Sequence, residues 1–270
     1  MLYPQTTAEP IDGGWRINGR KIFGTLSPVA DRFVLAVKVI GDPEHPLNGN
    51  AFVGRDAPGL TIFDNWDALG MRASGSNDLM LEDVEVGVDQ VIAGAEWGKL
   101  ETTDVTSLFA GNTVVIAANL GIAEAAHDEV VRMLQTRRKV PDTNVLAHRP
   151  AIQHGVAEME IDLFGMRAAL ERITRLADDE VTARGAFEVE LADLHHLMKE
   201  LQCARSIVNR KAIEVVDAAM TLSGGAGFLT SNILSRLYRD VRAGPFVQPF
   251  SPNEAFEYIG RVALGLDPLV

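Results

Sequence analysis

Residues 107–133 read SLFAGNTVVIAANLGIAEAAHDEVVRM, and the period of this stretch decides the fold class. Val115, Ala118, Ile122, Ala126, Val130 and Met133 recur at spacings of three and four, which places apolar side chains along one face of a helix. Upstream the pattern is different. RFVLAVKVI (32–40), NAFVGR (50–55), LTIFDN (60–65) and DLMLEDVEV (78–86) are short β-rich runs, separated by segments rich in Gly, Pro and Asn. Asn18-Gly19, between GGWRI and RKIFG, predicts a two-residue type I′ hairpin. Downstream, Pro150 suits the first turn of a second helix carrying Val156, Met159, Leu163, Met166, Leu170 and Ile173. A third helix runs from about Phe187 through Leu194, Met198, Leu201 and Val208 to about Met220. SGGAGF (223–228) stops it, Ser231 is placed to cap a short fourth helix, and Ser251-Pro-Asn-Glu254 forms a capping box. The expectation is therefore an α+β chain: an antiparallel β-barrel or sandwich over residues 1–95, then a four-helix up-and-down bundle over 96–270.

Composition narrows the function. The 270 residues carry 37 acids against 25 bases, a formal charge of −12 that repels phosphate backbones and excludes nucleic acid as the natural partner. The single cysteine, Cys203, cannot form an internal disulfide and reads as a buried thiol. No charged segment with an apolar core opens the chain and no uninterrupted apolar run approaches a membrane span, so a cytoplasmic, membrane-free protein is expected. Glu124-x-x-His127 and Asp193-x-x-His196 have the spacing of carboxylate-bridged metal bundles. Both pairs fall off the apolar stripes of their helices, which predicts solvated faces and no metal. ASGSN (73–77) lacks the frame of a nucleophile elbow. GGAGF reads either as a helix cap or as backbone that a phosphate-bearing ligand can approach.

Three longer stretches carry a family resemblance. GGWRINGRKIFGTLSPVADRF (13–33), LGMRASGSNDLMLEDVEV (69–86) and VVDAAMTLSGGAGFLTSNILSRLYRDVR (215–242) resemble, in order, motifs of the acyl-CoA dehydrogenase superfamily. These are flavoproteins with an N-terminal helical domain, a middle β domain and a C-terminal four-helix bundle. The resemblance covers nearly the whole chain and implies a flavin-dependent oxidoreductase with FAD, or FMN taken up as reduced flavin. It places Phe23 against the isoalloxazine and Thr25 near flavin N5. Gly224, Gly225 and Gly227 fall at glycines that approach the adenosine diphosphate half, and Arg138 at an arginine that meets a pyrophosphate. Arg72, Ser74 and Ser76 fall on the loop bordering flavin and substrate. A homodimer or homotetramer acting on a small-molecule substrate is implied, with a second chain as one source of the family's N-terminal helical domain.

Two positions depart from the dehydrogenase pattern. The family's proton-abstracting carboxylate falls on Gln248, whose amide has no basic oxygen near neutral pH. The D-x-x-R that contacts CoA in relatives falls on Phe109 and Asn112. WDALGMRASGS (66–76) is similar to the flavin monooxygenase branch that includes dibenzothiophene monooxygenase, so monooxygenase chemistry is expected over acyl-CoA dehydrogenation, with a non-catalytic subunit as the third alternative.

Overall fold

The computed structural model describes residues 3–141, 143–185, 188–247 and 250–269. Two compact units divide the chain, Met1–Glu101 and Thr102–Val270.

The first unit is a seven-stranded sheet of β1 (Thr7–Ile11), β2 (Gly14–Gly24), β3 (Arg32–Val39), β4 (Leu47–Gly54), β5 (Leu60–Ile62), β6 (Asn77–Gly87) and β7 (Val91–Glu96). Its order is β5-β6-β2-β1-β3-β4-β7. Of the barrel or sandwich expected, a closed barrel does not form: among the described residues β5 and β7 end the sheet without a further strand partner. The sheet is also mixed: β1 runs parallel to β3 through Thr7↔Lys38 and Ala8↔Val39, while the other pairings are antiparallel. Inward residues of both halves, among them Ile17, Leu79 and Val84 on one side and Val37, Ala51 and Val53 on the other, share a single apolar core.

The hairpin lies elsewhere than expected. β2 runs straight through Asn18-Gly19, and the turn is Asp12-Gly13, with Ile11 paired to Gly14 and Gly13 at φ +77°. Asp-Gly satisfies the same turn chemistry as Asn-Gly. Asn18 is instead recruited across the sheet, where its side chain accepts from Asp83 N at 2.7 Å and donates to Asp83 Oδ1 at 3.1 Å. Gly19 sits beside a register shift against β6, and a Cβ there would stand 2.8 Å from Thr6 Cα.

In the second unit, α1 (Thr102–Thr136), α2 (Pro150–Arg184) and α3 (Leu191–Ser223) are long helices, followed by α4 (Ile233–Asp240) and α5 (Pro252–Ala263). Among the described residues the unit has five α-helices: three long ones, then the short fourth and the helix opened by the Ser251–Glu254 box, both expected after the glycine turn. Polar side-chain contacts fix the directions of the long helices. Glu124–Arg167 and His127–Glu160 make α1 and α2 antiparallel. Arg172–Glu200, Arg184–Asp193 and Lys211–Asp162 do the same for α2 and α3. The α2 and α3 stripes are buried at Met159, Leu163, Met166 and Ile173, and at Leu194, Met198, Leu201 and Val208.

On α1 the buried face is rotated from the predicted one. It carries Ile116, Asn119, Leu120, Ala123, Ala126, His127, Val130 and Leu134, whereas Ala118 is exposed. His127, expected in solvent, is 8% exposed, with Nδ1 3.1 Å from Asp128 Oδ1 and Nε2 3.2 Å from Glu160 Oε1. Asn112 and Asn119 lie on the inner face and displaced the period count, which scored only apolar residues. By length and composition alone α1 could cross a membrane. Its buried asparagines and its ion pairs with α2 are those of a bundle helix.

Asn232, one residue after the expected Ser231, caps α4 by accepting from Leu234 N at 2.9 Å. The Ser251–Glu254 capping box of α5 forms as expected.

Candidate functional site

In the first unit, two loops meet at the end of β2. The last residues of β2 with the turn that follows (residues 23–28) and the loop before β6 (71–76) are joined by Leu26 N donating to Ser74 O at 2.8 Å and Ser27 Oγ donating to Gly75 O at 2.9 Å. Arg55 holds the far side, donating from Nη1 to Ser27 O at 2.7 Å and to Ala30 O at 3.1 Å. Phe23, Leu26 and Met71 have φ of +58°, +62° and +52°. Left-handed backbone is rare for bulky residues, and it persists only where the surroundings over-determine it. Here the crossed hydrogen bonds supply that constraint, and its product is display. Phe23 is 62% exposed and Thr25 is exposed beside it.

Trp66 supports Phe23 edge-on, with ring centroids 6.0 Å apart and planes at 89°. The indole donates from Nε1 to Met71 O at 3.1 Å, and buried Asn77 accepts from the backbone N–H groups of both Asn65 and Trp66. Asp78 anchors the same corner, its carboxyl held below the usual range by hydrogen bonds from Arg20 and then from Asn65. Behind the display the hydroxyls form a chain: Thr25 Oγ1 lies 3.1 Å from Ser76 Oγ, which lies 2.7 Å from Ser74 Oγ. Arg72 is exposed and its Nε donates to Ala68 O. The structure thus gathers Phe23, Thr25, Ser74 and Ser76 at one corner, with Arg72 on the same loop.

The second unit holds the glycine turn. Gly224 ends α3 at φ +67°, a positive φ that glycine adopts without a Cβ clash. A Cβ on Gly224 or Gly225 would meet open space, so their backbone is accessible. Gly227 differs: a Cβ there would lie 2.0 Å from Ser223 Oγ, and tight packing demands glycine. Arg138 is exposed and its backbone bridges Val145. The neighbouring Arg137 reaches the turn, donating from Nη1 to Ser223 O at 2.9 Å. Sequence reasoning passed over Arg137 because adjacent arginines look alike without the backbone that separates them.

Sequence reasoning also missed a buried polar seam between α1 and α3. Asn119 Nδ2 donates to Asn209 Oδ1 at 2.7 Å. Arg205, 4% exposed, donates to Gln202 Oε1, Phe250 O and Val247 O, and burial lowers its pKa. It thereby ties both flanks of Gln248-Pro249 to α3; Gln248 itself lies outside the described residues. A polar residue interrupting the apolar stripe of α3 was the available signal. Among the described residues no cluster of three His, Cys, Asp or Glu side chains could hold a metal.

The chain matches the family model described as "Acyl-CoA dehydrogenase, middle domain" over residues 1–84 and that described as "Acyl-CoA dehydrogenase, C-terminal domain" over 113–248. It is 34% identical over 262 residues to the amino sugar nitrososynthase DnmZ of Streptomyces peucetius, covering 94% of this chain and 60% of that protein. It is 33% identical over 241 residues to the putative acyl-CoA dehydrogenase YdbM of Bacillus subtilis, covering 89% of this chain and 58% of that protein. The structure of KijD3 in complex with FMN and dTDP-3-amino-2,3,6-trideoxy-4-keto-3-methyl-D-glucose is similar at a TM-score of 0.84 and 32% identity, over 97% of this chain and 62% of that one. The chain therefore spans about three fifths of the length of these relatives. With the strained display loops, the glycine turn and both domain matches in agreement, the chain belongs to the acyl-CoA dehydrogenase family.

Proposed function

We propose that this chain forms the middle and C-terminal parts of a flavin-dependent oxidoreductase that works as a reduced-flavin monooxygenase. The observation that carries the reading is the corner at the end of β2, where left-handed backbone at Phe23 and Leu26 presents an exposed aromatic ring beside an exposed hydroxyl. That pairing fits a planar, hydrogen-bonding ring system. Phe23 offers a face for stacking, and Thr25 offers a hydroxyl to a ring heteroatom. In the second unit, taken by itself, the open backbone at Gly224 and Gly225 suits the approach of a phosphate group, and exposed Arg138 is a cation available to one. FAD and FMN both carry a planar ring and a phosphate. When bound, a flavin supplies two-electron redox chemistry and, once reduced, reactivity toward dioxygen.

Gln248 steers the choice of chemistry. An amide can orient a carbonyl or a water but cannot remove an α-proton, so a thioester substrate would lack its base. Oxygen transfer to a small molecule needs no α-proton removal, although the histidines of the monooxygenase branch fall here on Gly244 and Val247. The likeness to DnmZ and KijD3 supports a substrate with an oxidisable amine, bordered by Arg72, Ser74 and Ser76. Exposed apolar side chains on the bundle, Val114, Ile161 and Phe164, support a homodimer or homotetramer, and the lone Cys203 suits a reducing cytoplasm.

The test mixes purified protein with FMN or FAD, a flavin reductase and NADH, and supplies a dTDP-linked amino sugar. The proposal expects flavin fluorescence to quench on binding and oxygenated amine to accumulate. Bleaching of bound flavin by an acyl-CoA, with release of the enoyl product, would refute it in favour of dehydrogenation.

A further inference from the structure

Ser76 is 5% exposed, too buried to serve as a ready ligand contact, yet its Oγ lies between two other hydroxyls, 2.7 Å from Ser74 and 3.1 Å from Thr25. A hydroxyl has one proton and two acceptor lone pairs; Ser76 accepting from both neighbours would leave its own buried proton unpaired, so the chain of three runs in one of two directions. If Ser74 donates to Ser76 and Ser76 to Thr25, the Thr25 proton is free to point outward. If Thr25 donates to Ser76 and Ser76 to Ser74, Thr25 presents only lone pairs outward, and the free proton sits on half-buried Ser74. Both directions keep both internal hydrogen bonds. Reversal therefore costs neither contact, and the heavy atoms need not move.

We infer that Ser76 is a positioning residue that fixes the Thr25 oxygen while letting Thr25 act as donor or acceptor by concerted reversal of the Ser74–Ser76–Thr25 chain. This rests on the flavin reading above. It supplies what such a cofactor needs, because ring nitrogen N5 accepts a hydrogen bond when oxidised and bears an N–H when reduced. The backbone supports the assignment independently. Leu26 N to Ser74 O and Ser27 Oγ to Gly75 O fasten the two loops on either side of the hydroxyl chain, so the three oxygens are held while the protons are not.

The two serines make distinguishable predictions. Ser76→Ala removes Thr25's partner in both directions. Dissociation constants for oxidised and reduced FMN, measured anaerobically by fluorescence or absorbance titration on the full chain, should both rise about five- to tenfold. Ser74→Ala is asymmetric. It strands the buried Ser76 proton only when Thr25 donates inward, the arrangement that faces a reduced ring, so reduced FMN should weaken about fivefold more than oxidised FMN. Thermal melting checks that each variant is folded, and a purely structural role would change melting without a difference between redox states. The inference is overturned if Ser74→Ala shifts the two states equally or not at all, or if Ser76→Ala leaves both unchanged. Wild-type protein that binds neither state would instead defeat the flavin reading itself, and the inference with it.

Discussion

Gly244 provides a test of the bundle that needs no ligand. It lies buried in the turn 241–246, and a Cβ there would stand 1.9 Å from Asn119 Nδ2 and 2.6 Å from Asn209 Oδ1. Those two atoms make the 2.7 Å hydrogen bond that joins α1 to α3, with Asn119 and Asn209 only 1% and 7% exposed. In Gly244→Ala, either the turn lifts or the amides separate. Separation leaves a buried N–H and C=O unpaired, at about 1–3 kcal/mol, and forced overpacking adds about 1–3 kcal/mol. The sum is centred near 4 kcal/mol. At roughly 2–4 °C per kcal/mol for a unit of this size, the melting midpoint should fall by about 8–16 °C. Differential scanning calorimetry reads the loss. A double-mutant cycle tests its cause, since in an Asn119→Ala background the same substitution should cost at least about 1 kcal/mol less. A single variant that melts within about 2 °C of the parent, or strict additivity in the cycle, would refute the reasoning.

Two further expectations concern other parts of the chain. Lys21 donates to Ala36 O across the gap between β2 and β3, and burial lowers its pKa from 10.5 to about 8. The unfolded chain then binds more protons than the native one across roughly pH 8 to 10.5, so this group makes stability rise with pH there, by at most about 1.4 kcal/mol per unit. Urea midpoints should rise over that window in wild type relative to Lys21→Met, and parallel curves would count against a buried ammonium. At α4, Asn232→Ala should cost about 1 kcal/mol because the cap is lost, whereas Ser231→Ala should be near neutral. Equal losses in urea denaturation would mean that the capping role is misassigned.

Long elements with one dominant period were legible in the amino-acid order. The stripes of α2 and α3 needed no tertiary information, because Leu163, Met166, Met198 and Leu201 had only one helical face on which to fall together. Where polar residues carry the packing, the pattern misled. Asn119 is buried on α1 through Asn209, His127 lies beside Asp128 and Glu160, and Asn112 bonds back to Leu108 O, none of which a hydrophobicity count registers. The hairpin was misplaced for a related reason: Asp12-Gly13 and Asn18-Gly19 have equal local turn chemistry, and only cross-strand bonds from Asn18 to Asp83 separate them. β1 and β7 escaped notice because short strands such as TAEPI and VIAGAE acquire their definition from neighbours. At the candidate site, family motifs located Phe23 and Thr25, but the strain, the serine chain and the Arg205 anchor exist only in three dimensions.

The position of β1 has a mechanical consequence. It is the one strand laddered to both β2 and β3, and its hold on β3 is two residue pairs long. Without it, β5-β6-β2 and β3-β4-β7 would be separate ribbons sharing an oily interior, joined by side-chain tethers such as Lys21 to Ala36 O and Arg55 to Ser27 O. Shear along β1 would therefore load the sheet at its middle, while the outer ladders were still closed.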